Sequence, residues 1–205
     1  MDRGPKHAIA EEAARIICVE QLIDYRAAKH KAAERLGYPT RAALPDNAAV
    51  QAAVIEYQRL FGGAEYREHL ARMRAGALTA MTLLQPFEPR LVGGAVSGAV
   101  TPAHHLQLHV FADPAEAVDM HLLNAGVEFE QDERSFRYPD GRELRIPLVR
   151  LERPGLAIDV AIFPVDELAR PPVNPLDGRP YRRLDRDEAE RLQRAPIDTL
   201  DDGGA

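Results

Sequence analysis

The chain has one cysteine, Cys18, and no tryptophan. A lone thiol can form no internal disulfide. Cys18 lies in an apolar helical stretch, where a small core residue is expected rather than a nucleophile. Long apolar runs are also missing: no segment approaches the roughly 20 residues needed to span a bilayer, so no membrane partner is expected. The opening residues, MDRGPKHAIAEEAARII, carry neither an apolar signal core nor a small-residue cleavage site, and the expected location is cytoplasmic. Positive charge is not in excess. The 26 Lys and Arg face 32 Asp and Glu, for a net charge of -6, which argues against a nucleic-acid coat or an anionic membrane as the main partner. What is present is 205 residues, 45% hydrophobic and 28% charged. That is the make-up of one packed core with a small helical addition.

Periodicity divides the chain. Ala8 to Leu36 is predicted as one helix with an apolar stripe through Ala13, Ile16, Ile17, Val19 and Ile23, capped by Gly37 and stopped by Pro39. Its basic cluster, Arg26, Lys29, His30, Lys31 and Arg35, reads as a solvated face, with phosphate binding as the sharper alternative. Asp46 or Asn47 caps a second helix whose stripe is Val50, Val54, Tyr57 and Phe61. Gly62-Gly63 ends it. A third helix, about Ala64 to Leu84, carries Tyr66, Leu70, Met73, Ala77, Met81 and Leu84, an ordinary core stripe. Pro86 and Pro89 stop it.

Arg90 to Asp113, RLVGGAVSGAVTPAHHLQLHVFAD, organises the rest. An apolar lead, Leu91-Val92, enters Gly93-Gly94, with Ser97-Gly98 behind it. After a polar connector holding His104, residues 105–111 alternate. Leu106, Leu108 and Val110 face one way and His105, Gln107 and His109 the other. Asp113-Pro114-x-Glu116 is predicted to cap a helix to about Asn124, with Val118, Leu122 and Leu123 inward. Short strands follow: Val127 to Phe129, then Ser135 to Tyr138 and Arg142 to Ile146 around the Pro139-Asp140-Gly141 turn. Pro147 marks an edge or bulge. Leu156 to Phe163, LAIDVAIF, is a strand with one acid, Asp159. Beyond Pro164 a proline-rich stretch wraps the surface, Asp185-x-x-Glu188 caps a last short helix, and Thr199 to Ala205 is expected to be disordered.

LVGGAVSG at 91–98, the strand after it and LAIDVAIF resemble the nucleotidyltransferase superfamily, the DNA polymerase beta-like and minimal bacterial nucleotidyltransferase folds. The resemblance covers about residues 64–165 and implies an α+β fold. Its sheet is small and mixed, with helices on one side and an added N-terminal helical layer. Residues 1–63 are then a helical extension packed on the core, 64–165 the nucleotidyltransferase-like core, and 166–205 a proline-rich wrap, short helix and tail. In the family, the glycine turn lets backbone N–H groups approach phosphates. An acid-x-acid pair on the next strand, with a third acid on a neighbouring one, holds Mg²⁺ against a nucleoside triphosphate. The resemblance assigns Gly93, Gly94, Ser97 and Gly98 to phosphate, Asp159 to the third acid, and His105 and Gln107 to the positions of the acid pair.

Those two positions are the departure. Neutral imidazole and amide are poor Mg²⁺ ligands, and one carboxylate cannot assemble a two-metal site. Three readings stay open for this face. It can hold a transition metal on His105, His109 and Asp159, although side chains two apart on one strand face stand about 7 Å apart. It can bind a nucleotide or phosphate without chemistry, or it can be a contact surface. His104 is expected in solvent, and Arg90 in a surface pair or at a phosphate. Arg137, Arg142 and Arg145 are expected in cross-strand pairs or at a cleft edge. Ser97 lacks the helix an esterase elbow requires. The expected function is a catalytically degenerate nucleotidyltransferase-fold module that binds nucleotide or phosphate, or regulates. The alternatives are an active enzyme using Mg²⁺ and a nucleoside triphosphate with unusual ligands, and an interaction protein whose helices dimerise.

Overall fold

The computed structural model describes residues 4–39 and 43–197. The first predicted helix is two. α1 spans Pro5–Glu20 and α2 spans Tyr25–Arg35. Between them Gln21 takes a left-handed conformation, φ 57°. Its amide donates to the Cys18 carbonyl at 2.7 Å and accepts from the Ala103 N–H at 3.2 Å. Asp24 then starts α2 by accepting from the Ala27 N–H at 2.9 Å. This break corrects the continuous-helix expectation and ends the stripe early. Ile16 and Ile17 are fully buried, whereas Val19 and Ile23 lie beside the turn and are exposed. Gly37 ends α2 as expected. Tyr38 N–H bonds Ala33 and Gly37 N–H bonds Glu34, the paired bonds of a Schellman motif. Glu20 on α1 ties the helices by pairing with Lys31 and Arg35 of α2.

α3, Asn47–Phe61, starts at the Asp46 cap and buries Val50 and Val54. Phe61, expected inside, is 69% exposed. Gln58 takes the interior place and donates to the Val100 carbonyl at 2.8 Å. α1, α2 and α3 share a cluster of their own that includes Ala99. α4, Gly63–Leu83, buries Tyr66, Leu70, Met73, Ala77 and Met81, with Leu84 just beyond. Truncating Met73 there would cost about 2–5 kcal/mol through lost burial and a cavity. The α4 stripe packs inside the main core, as the ordinary core stripe the sequence predicts.

Five strands form one mixed sheet in the order β1-β2-β5-β4-β3. They are β1 Arg90–Val92, β2 Leu106–Phe111, β3 Glu130–Arg137, β4 Glu143–Arg153 and β5 Leu156–Phe163. Only β2 and β5 run parallel; the other neighbours are antiparallel. Alternation sends Leu106, Leu108, Val110, Val149, Leu151, Ile158, Val160 and Ile162 into the main core. There they meet α4, α6 (Glu116–Asn124) and α7 (Arg186–Arg194). This is the α+β fold expected, with those helices on one side. The opposite face carries Gln107, His109, Arg134, Arg150 and Asp159, and an aromatic cluster of Phe111, Phe136, Tyr138 and Phe163.

Three local expectations change. Asp113 does not cap α6. The Asp113-Pro114 bond is cis, Ala115 stands at the cap, and the Asp113 carboxylate accepts from the Val165 N–H at 3.1 Å. Leu123, expected inward, is 59% exposed. Residues 127–129 form no strand; β3 starts at Glu130 and keeps only Phe136 buried. Pro147 fits its expectation. It lies past the last β5 partner, where β4 pairs with β3 alone, so no ladder bond is lost. Asp185 and Glu188 close a capping box on α7. The expectation for residues 199–205 lies outside the described residues.

Candidate functional site

The glycine stretch is a single helical turn, α5, Gly94–Ser97, between β1 and the connector. Gly93 enters it at φ 75°, and a Cβ there would stand 2.4 Å from Gln107 Oε1. Backbone handedness and the close approach of Gln107 both demand glycine. Gly98 leaves the turn at φ 86°, its carbonyl held by the Tyr66 hydroxyl at 2.9 Å. Ser97 Oγ donates to the Gly94 carbonyl at 3.4 Å and accepts from the Ala99 N–H at 3.3 Å.

Register sets the next pieces. Gln107 on β2 lies directly opposite Asp159 on β5, which lies opposite Arg150 on β4. The carboxylate is 5% exposed and both oxygens are engaged. Oδ1 accepts from His105 Nδ1 at 3.1 Å and Arg150 Nε at 3.0 Å, and Oδ2 from Arg134 Nη2 at 3.2 Å. Burial alone would raise the Asp159 carboxyl, but the His105 and Arg150 bonds and charges outweigh it and hold it below the usual carboxylate range. Arg134 and Arg150 were not picked out from the sequence; only the sheet register brings them to an acid on another strand.

His109 is separate from this cluster. It is 3% exposed, packed against Phe136, Phe163 and Tyr181, and its Nδ1 accepts from Arg183 Nε at 3.1 Å. Burial, then the charges of Arg183 and Arg134, push it well below its ordinary value, so it is neutral. His105 and Asp159 are thus brought together and His109 is held elsewhere by the C-terminal strap. Among the described residues no group of three His, Cys, Asp or Glu stands close enough to share a metal ion. His104, expected in solvent, turns inward instead. Its Nδ1 accepts from the Thr101 N–H at 3.0 Å, and burial with the nearby His69 and His105 lowers it to about 4.

A cleft of about 800 Å³ opens beside the cluster, between α2, the start of α3, α5, the β3–β4 hairpin and the strap around residues 173–181. Gly93, Gly94, Gln107 and His104 line it; Ser97, Gly98, His105 and Asp159 do not. Its cations are Arg26, Arg134 and Arg137, and its acids are Asp24 and Glu143. Asp24 serves as the α2 cap, and Glu143 stands opposite Arg137 in the hairpin. Arg26 and Arg137 were named in the sequence as residues that could meet phosphate or edge a cleft, and both face it. The other arginines singled out in the sequence near this stretch are paired: Arg90 with Glu88, Arg142 with Asp140 and Glu167, and Arg145 with Glu133. Asp159 lines a recess of about 10 Å³, shared with Gln107, Arg134 and Tyr181, with room for roughly one water.

That recess and that donor set do not fit a pair of Mg²⁺ ions. Mg²⁺ needs hard oxygen ligands in near-octahedral array and keeps several waters. Here the lone carboxylate is covered by three cationic or N–H donors, and its neighbours are an amide and an imidazole.

No family model matches the chain, and no curated protein is significantly similar to it. Among solved structures, a cytoplasmic RNA terminal U-transferase is 19% identical over 57% of this chain and 34% of its own, with a TM-score of 0.32. Cid1, described for its RNA terminal uridylyl transferase activity, is 16% identical over 55% of this chain and 34% of its own, with a TM-score of 0.30. The chain spans about a third of the length of either structure. At such TM-scores the likeness does not bear on activity. No helix among the described residues is long and apolar enough to cross a membrane.

Proposed function

We propose that this chain is a nucleotidyltransferase-fold protein that binds a nucleotide or related phosphate ligand and does not transfer it. The observation that carries this reading is the state of Asp159, the acid left where the family pattern has three. Both its oxygens are bonded by His105, Arg150 and Arg134, so this carboxylate is not free to meet a metal or an attacking hydroxyl. What supports binding is the neighbouring cleft. It joins the Gly93-Gly94 backbone to three arginines, with Tyr25, Phe136 and Tyr181 as apolar walls and the Asn174 amide as a donor, while Asn47 is tied to Lys29 and Pro175. Phosphate suits guanidinium forks and glycine backbone, and a base suits an aromatic wall with amides.

Isothermal titration with ATP, CTP, GTP and UTP tests the reading. Saturable binding of at least one nucleotide, weakened by Arg137→Gln, is expected. No binding of any of the four, nor of inorganic tripolyphosphate, would overturn it and leave the chain's surfaces to a protein partner.

A further inference from the structure

The cleft has a charge arrangement opposite to that of a metal-dependent nucleotide site. In the metal-dependent design, carboxylates gather cations and the cations meet the triphosphate. Here the guanidinium groups stand at the cleft and the carboxylate stands behind them. Arg134 belongs to both places. Its Nη2 bonds Asp159 Oδ2 at 3.2 Å, and it lines the 800 Å³ cleft as well as the small recess. Arg26 and Arg137 have no ion-pair partner among the described residues other than what cross-strand Glu143 offers Arg137.

Building on the nucleotide-binding reading, we infer that the cleft takes a polyphosphate group without a divalent cation, Arg26, Arg134 and Arg137 supplying the counter-charge. A guanidinium presents a planar fork to two phosphate oxygens and is always charged. Three of them can balance much of a triphosphate's charge, which Mg²⁺ would otherwise do. Mg²⁺ bound to the ligand would then compete with the arginines for the same oxygens. Asp159 keeps Arg134 positioned and does not touch the ligand.

The experiment is titration of the full chain with ATP and, separately, with inorganic tripolyphosphate, each in EDTA and in millimolar Mg²⁺. Binding in EDTA at least as tight as in Mg²⁺ is expected. Arg134→Gln and Arg137→Gln should each weaken it about tenfold, or about 1.4 kcal/mol. Melting curves without ligand check that these variants are folded; Arg137 is exposed and its replacement should not move the midpoint. Tripolyphosphate binding without ATP binding would assign the site to inorganic polyphosphate, with the same cation independence. Binding that appears only with Mg²⁺, or that ignores both arginine substitutions, would overturn the inference while leaving nucleotide binding standing. Absence of binding in every arm would instead sink the nucleotide reading on which the inference rests.

Discussion

Arg134 Nη2 lies 3.2 Å from Asp159 Oδ2, and of the two residues only Arg134 lines the main cleft. The acid therefore works on the sheet and the arginine on the cleft. Asp159→Asn would leave two arginines and a histidine around a neutral amide. A loss of about 1–2 kcal/mol is expected, because three partly exposed donors lose the buried carboxylate they share, while Arg150 keeps Asp132 at 3.9 Å. Urea unfolding measures it. Nucleotide affinity of the folded fraction should fall by no more than the roughly tenfold expected for Arg134→Gln, since Asp159 acts on the ligand only by positioning Arg134. A hundredfold drop would instead mark Asp159 as a metal ligand.

Gly93→Ala meets two obstacles, a φ of 75° and a Cβ placed 2.4 Å from Gln107 Oε1. Destabilisation of about 1–3 kcal/mol is expected, with loss of nucleotide binding. Adding Gln107→Ser removes the clash and leaves the backbone strain, so the double variant should recover part of the stability. Full recovery would mean that the left-handed backbone costs nothing there.

Acid should destabilise the protein before its carboxylates titrate. His104 is lowered from an ordinary 6.5 to about 4, and His109 lies well below 6.5. Both bind protons more readily unfolded than folded, so the stability they support is present above 6.5 and drains away as pH falls towards 4. His104 is faced by His69 and His105, and His109 by Arg183 and Arg134, so protonation adds like charge in each case. Urea midpoints measured through this window should fall steadily. His104→Asn, which can still accept from Thr101, should make the fall shallower. A flat profile would contradict the buried placement of both rings.

Cys18 is pushed up to about 12 by burial. It should react slowly with iodoacetamide at neutral pH in the native protein and quickly in urea, since only the thiolate attacks. Equal rates would place it in solvent.

Much of the fold was legible because it rests on local signals. The α4 stripe from Tyr66 to Met81, the turn at Pro139-Asp140-Gly141, the Asp185 capping box and the alternation of β2 all follow from spacing within a few residues. The failures share a physical cause. Gln21 is left-handed because its side chain finds partners in Cys18 and Ala103, the latter far along the chain, and no glycine marks the break. β3 reads EQDERSFR, without alternation, because it is an edge strand with one buried residue. His109 looked like a member of a histidine face, and the strap residues that enclose it, Tyr181 and Arg183, lie over seventy positions away. The sequence placed Asp159 on its strand but could not show that Arg134 and Arg150 would neutralise it, since that depends on sheet order.

The most direct measurement is pyrophosphate release from each of the four nucleoside triphosphates in the presence of Mg²⁺ or Mn²⁺, on protein already shown by titration to bind nucleotide. No release above the protein-free control is expected, with binding intact. Metal-dependent release that disappears in Asp159→Asn would contradict the central claim and make this chain an active nucleotidyltransferase.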